Sequence, residues 1–125
     1  EEASKIIKNQ NNIVKHKMVS KILLINQNDS LELALNVMKW NNIHHLPIVN
    51  NKKELVGLLT WSDMIRLGNE DLQQKVKDVM TKKVITISQE DSLEQAKELM
   101  KSNQINCLPV LRKKELLGII TSRDY

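Results

Sequence analysis

The chain has 125 residues, with 19 lysines and arginines against 15 acids for a net charge of +4, no phenylalanine, two tryptophans and one tyrosine. That is enough chain for an aliphatic core, but not for aromatic base-stacking platforms, and because the lysines are dispersed among acids no nucleic-acid partner is expected. One cysteine excludes an internal disulfide and a thiolate-rich zinc site, three glycines are too few for a P-loop or dinucleotide cradle, and no apolar run approaches the roughly 18 residues of a membrane span.

Residues 1–13, with Ile6, Ile7 and Ile13, are expected to form an extra N-terminal helix ahead of the first repeated unit. The run Ile22-Leu23-Leu24-Ile25 reads as a short strand closed by a polar turn. Asp29 then sits where an N-cap belongs, with Glu32 at capping-box spacing. Leu31, Ala34, Leu35 and Met38 fall at i, i+3, i+4 and i+7, the apolar stripe of a helix lying on a core, and Asn41-Asn42 ends it. Leu33, Val37 and Trp40 lie on a second face of that helix, a candidate contact surface.

His45 to Val49 reads as a strand, with Pro47 placing it at a sheet edge or strand start. A polar hairpin leads into the apolar run 55–59. Thr60-x-x-Asp63 then has the spacing that opens a helix running toward Gly68. Residues 69–75 are polar and read as a linker.

From residue 76 the pattern starts again. Residues 14–50 align with 76 onward at an offset of 62, which becomes 61 after one deletion, and about half of the aligned positions are identical. Such self-similarity marks a duplicated structural unit. The shared positions include Val14/Val76, Lys15/Lys77, Met18/Met80, Asp-Ser-Leu-Glu at 29–32 and 91–94, Leu46-Pro47/Leu108-Pro109, Gly57/Gly118, Thr60/Thr121 and Asp63/Asp124. The second copy therefore carries the same expectations: a strand over 84–87, an Asp91 cap, a helix with Leu93, Ala96 and Met100 inward, strands over 107–111 and 116–120, and a final helix cut short at Tyr125. The expected organisation is a helix over 1–13, a first unit over 14–68, a linker over 69–75 and a second unit over 76–125. The first residue is not methionine, so a longer polypeptide is expected.

Two copies of V-K-x-x-M, D-S-L, I-x-x-L-P-[IV] and G-h-h-T-x-x-D (h apolar) resemble a tandem pair of cystathionine-β-synthase-type (CBS) domains, the Bateman module. The resemblance covers 14–125 and rests on order, spacing and duplication together. It implies an α+β fold of two β-α-β-β-α units packed by pseudo-twofold symmetry. It also implies a regulatory module that binds an adenosine nucleotide or related adenosyl ligand in clefts between the units, with AMP, ADP, ATP or S-adenosylmethionine as regulatory ligand and no required cofactor. Such modules report ligand occupancy to an attached or partner effector protein, often as homodimers. The alternative is a structural dimerisation module that binds no nucleotide.

The resemblance assigns ligand contact to His44, His45, Pro47, Thr60, Ser62 and Asp63 in the first unit, and to Asn106, Cys107, Pro109, Thr121, Arg123 and Asp124 in the second. Thr60 and Thr121 would meet phosphate or ribose, and Asp63 and Asp124 ribose hydroxyls. His45 stands where nucleotide-sensing relatives carry an arginine, and a histidine is mostly uncharged above about pH 6.5. Asn106 and Cys107 replace both histidines in the second unit. The same Thr and Asp spacing also caps a helix with no ligand present. His44 and His45 alternate between strand faces and so do not chelate one metal. No nucleophile, base and acid are marked by spacing, and an enzyme is not expected. Cys107 reads as a small buried apolar residue. The lone cysteine and the absence of a signal peptide suit the cytoplasm.

Overall fold

The computed structural model describes residues 12–68 and 71–123. The expected N-terminal helix falls mainly outside these residues; within them, Ile13 forms a β-bridge to Ser92, and Val14–His16 is a single 3-10 turn.

In chain order the elements are β1 (Ile25–Asn26), α1 (Leu31–Asn41), β2 (His45–Val49), β3 (Leu55–Thr60) and α2 (Trp61–Leu67). A 3-10 turn at Val76–Asp78 opens the second copy, followed by β4 (Ile87–Ser88), α3 (Leu93–Ser102), β5 (Cys107–Arg112) and β6 (Glu115–Thr121). The fold is α+β. Among the described residues the strands form two three-stranded sheets, ordered β1-β2-β3 and β4-β5-β6, each with one parallel and one antiparallel pairing.

The chain divides into two compact bodies that cut across the sequence repeat. One is Leu23–Val84; the other joins residues 12–22 to the chain from Ile85 onward. Each V-K-x-x-M stretch therefore completes the body whose remaining strands and helix come from the opposite repeat. Val76 is fully buried in a core with Ile25, Leu31, Ala34, Met38, Leu46, Ile48, Leu59 and Met64. Its N–H donates to Asp29 O at 2.9 Å, and Lys77 N–H donates to Gln27 O at 3.0 Å. Val14 is buried with Ile87, Leu93, Ala96, Met100, Leu108, Val110 and Ile120, and donates to Asp91 O at 2.9 Å while Lys15 donates to Gln89 O at 3.0 Å. Part of the expected linker is likewise built in. The carbonyls of Gln74 and Leu72 accept from Leu31 and Glu32 N–H, both at 2.9 Å, and so satisfy the first orphan donors of α1.

Three local expectations are corrected. The caps of α1 and α3 are Ser30 and Ser92, whose side chains accept from Leu33 N and Gln95 N at 3.1 Å. Asp29 and Asp91 instead close the preceding turns, accepting from Asn26 N at 2.9 Å and Ser88 N at 3.0 Å. The first strands are two residues long and begin at Ile25 and Ile87, later than the apolar runs 22–25 and 84–87 suggest.

Finally, β2 and β5 are central strands despite their prolines. Pro47 lies opposite Leu58, and Leu58 spends both backbone groups on Thr81, each at 3.0 Å, away from β2. The missing donor therefore faces the β1 side, where β1 pairs only Ile48 and Val49 and begins, in parallel register, one residue after Pro47. Pro109 repeats the arrangement opposite Ile119, which bonds to Val19 in both directions.

Candidate functional site

The end of the first sheet where β2 begins and β3 finishes gathers most of the first-unit candidates. His45 is the direct antiparallel neighbour of Thr60, and Trp61 N–H donates to His44 O at 2.8 Å, which ties the start of β2 to the start of α2. Thr60 caps α2: its hydroxyl accepts from Asp63 N at 3.1 Å, while Asp63 Oδ2 accepts from Thr60 N at 2.9 Å. Asp63 Oδ1 also lies 3.2 Å from an Arg66 guanidinium nitrogen. Arg66 was absent from the residues singled out in the sequence; its i+3 spacing from Asp63 on a short helix was the available signal.

Strand alternation divides the side chains between faces. Leu46, Ile48 and Leu59 belong to the core cluster that also holds helix residues Ala34, Met38 and Met64. His45, Pro47, Leu58 and Thr60 therefore share the opposite face, with Pro47 two residues, about 6.5 Å, along the strand from His45. Pro47 is fully buried, His45 and Thr60 are half-buried, and His44 and Ser62 are exposed. The structure brings His44, His45, Thr60, Ser62 and Asp63 to one sheet end and sets Pro47 deeper on the same face as His45.

The second body repeats this plan with different chemistry. Cys107 is opposite Thr121, and Ser122 N–H donates to Asn106 O at 3.0 Å. Arg123 N–H donates to Thr121 Oγ1 at 3.4 Å. Cys107 and Pro109 are buried on the face away from Leu108, Val110 and Ile120. Arg123 is exposed. Asp124 lies outside the described residues.

A recess of about 440 Å³ opens on the body Leu23–Val84, lined by Gln27, Val56, Lys77, Asp78, Met80 and Lys82. It contains none of the sequence candidates, and Val56 places it at the opposite end of β3 from Thr60. Among the described residues, no group of three His, Cys, Asp or Glu side chains could hold a metal ion, and no helix is long and apolar enough to cross a membrane.

Duplicated strand-helix-strand-strand units, each with a Thr at the end of its last strand facing the start of a Leu-Pro strand, define a tandem α+β repeat. The family model described as "CBS domain" matches residues 2–70 and 76–125, and the chain belongs to the CBS domain family. It is 38% identical over 108 residues to inosine-5'-monophosphate dehydrogenase of Methanocaldococcus jannaschii, covering 86% of this chain and 21% of that enzyme. It is 32% identical to a CBS domain-containing protein of Dictyostelium discoideum, covering 90% of this chain and 87% of that one. Several matched enzymes are much longer than this chain, which spans 21% of the dehydrogenase and 24% of the homoserine O-acetyltransferase of Methanohalobium evestigatum. Among solved structures, the CBS domain pair of protein MJ0100, in complex with 5'-methylthioadenosine and S-adenosyl-L-methionine, matches with a TM-score of 0.82 and 27% identity over 90% of both chains.

Proposed function

We propose that this CBS domain pair is a non-catalytic sensor of an adenosyl ligand, such as AMP, ADP, ATP or S-adenosylmethionine, and that it passes ligand occupancy to an attached or partner protein. The observation that carries the reading is the pairing of His45 with Thr60 beside the Thr60–Asp63 cap, repeated as Cys107 with Thr121. The similar MJ0100 domain pair, whose structure holds two adenosyl ligands, supports the ligand class.

The chemistry follows from the groups present. The Thr60 hydroxyl already accepts one bond and has a proton to donate, which suits a phosphate or ribose oxygen. Asp63 uses Oδ2 on the backbone and Oδ1 on Arg66, yet each carboxylate oxygen has a second lone pair with which to accept a ribose hydroxyl. His44 and His45 supply imidazole donors near the phosphate end, whereas the second body offers Asn106 and Arg123 there. The two sites are therefore proposed to differ in anion preference.

A second reading, a structural dimerisation module without nucleotide, is favoured by one fact: the α2 cap satisfies Thr60 and Asp63 internally. Isothermal titration of the chain with AMP, ADP, ATP, S-adenosylmethionine and 5'-methylthioadenosine separates them. Saturable heat with at least one adenosyl compound supports the sensor; none with all five supports the structural module.

A further inference from the structure

We infer that the recess on the body Leu23–Val84 is a second ligand site, distinct from the Thr60 end of the sheet, that takes the phosphate monoester of a small polyhydroxylated compound such as a sugar phosphate. This inference does not rest on the adenosyl-ligand reading.

The recess, of about 440 Å³, falls within the roughly 300–1,000 Å³ that small-molecule sites occupy. Its walls are held by backbone. Val76, fully buried, donates to Asp29 O at 2.9 Å, and Lys77 N–H donates to Gln27 O at 3.0 Å, which fixes the 3-10 turn beside the end of β1. Met80 N–H then donates to Val76 O at 3.0 Å, and Thr81 exchanges both backbone bonds with Leu58, each at 3.0 Å. The side chains of Lys77, Asp78, Met80 and Lys82 are therefore displayed from a segment pinned near β1 at one end and to β3 at the other. Met80 lies over Gly57, where a Cβ would meet its sulfur. A site whose frame is already ordered loses less free energy on binding.

The lining selects the ligand. Lys77 and Lys82 set two ammonium groups against one carboxylate, Asp78, and among the described residues none of the three is ion-paired. One carboxylate is too few for a hard metal cation, and an apolar ligand would cover the ammonium groups without pairing them. A phosphate monoester carries about −1.5 to −2 at neutral pH, which two ammonium groups match. The Asp78 carboxylate accepts from a ligand hydroxyl, the Gln27 carboxamide donates to or accepts from another, and Val56 and Met80 give the carbon skeleton an apolar wall. Asp78 thereby disfavours a bare anion and favours one that carries hydroxyl groups. The duplication shows that the repeat does not demand these charges: at the matching positions the second copy keeps Gln89, Lys15 and Met18 but has Ser20 for Lys82 and His16 for Asp78.

Titration of the isotopically labelled full chain with glucose 6-phosphate, followed by amide chemical shifts, should give saturable changes at Gln27, Lys77, Asp78 and Lys82 with an affinity of about a millimolar or tighter. Glucose should give none, and inorganic phosphate should bind more weakly. Lys82→Ser, which installs the residue of the second copy at an exposed position, should weaken glucose 6-phosphate about fivefold with the melt unchanged. Asp78→Ala should narrow the preference for glucose 6-phosphate over inorganic phosphate. These amides are read whether or not an adenosyl compound binds, so the two readings fail separately. Absence of saturable shifts at these residues, shifts confined to Thr60 and Asp63, inorganic phosphate binding as tightly as glucose 6-phosphate, or unchanged affinity in Lys82→Ser would each overturn the inference.

Discussion

Val76 closes the core over Ile25 and Leu59 and hydrogen-bonds through its N–H to the carbonyl of Asp29 at 2.9 Å, although it stands in the opening motif of the second repeat. The repeat as written and the body as folded are therefore different stretches of chain. A fragment spanning 14–68 leaves the carbonyls of Gln27 and Asp29 without their partners and opens the core where Val76 sat. A fragment spanning 23–84 keeps both. The second should melt cooperatively and the first should be molten or aggregated, by circular dichroism and amide-proton dispersion; a 14–68 fragment at least as stable as 23–84 would contradict this assignment. Val76→Ala in the full chain should cost about 2–3 kcal/mol, read from urea unfolding.

Gly57 and Gly118 are equivalent in the repeat but meet different neighbours. A Cβ on Gly118 would stand 2.5 Å from the Val19 carbonyl oxygen, a backbone atom held by the bonds between Val19 and Ile119. A Cβ on Gly57 would press on the side-chain sulfur and Cγ of Met80, which can rotate away. Gly118→Ala should therefore destabilise by about 3 kcal/mol and Gly57→Ala by about 1 kcal/mol. Equal losses in the two variants would show that the Met80 side chain is as fixed as the Val19 backbone.

The helix caps give a third test. Ser30→Ala removes the acceptor for Leu33 N and should cost about 1 kcal/mol, with Ser92→Ala similar. Asp29→Asn keeps an oxygen for Asn26 N and should cost less than Ser30→Ala. If Asp29→Asn were the more damaging change, the turn and not the cap would hold the start of α1.

Asp63 separates capping from ligand binding. Asp63→Asn retains an oxygen able to accept from Thr60 N but loses the charge shared with Arg66, whose own side chain is exposed, so the melt should shift by about 1 kcal/mol or less. Affinity for the adenosyl ligand that titration identifies should fall about tenfold or more, because a charge-assisted hydrogen bond to ribose is lost. Unchanged affinity would restrict the carboxylate to the cap.

Local chemistry and one long-range regularity could be read without coordinates. The inward stripe Leu31, Ala34 and Met38, the Asn41-Asn42 pair that ends α1, the Thr60–Asp63 box and the duplication itself are short-range or pattern features, written in residue spacing. They placed the order of strands and helices in each unit, while the resemblance to CBS domain pairs supplied the packed α+β fold and most of the residues that meet at the end of the first sheet. Tertiary structure decided the rest, because the outcome depended on partners remote in the chain. Serine won the cap from aspartate once Asp29 and Asp91 closed the turns from Asn26 and Ser88. Proline entered central strands because the missing donor at Pro47 fell before the start of β1. Val14 and Val76 each completed the other repeat's core because a buried valine stabilises whichever apolar cluster its backbone hydrogen bonds bring it to, and nothing in the spacing of V-K-x-x-M says which cluster that is.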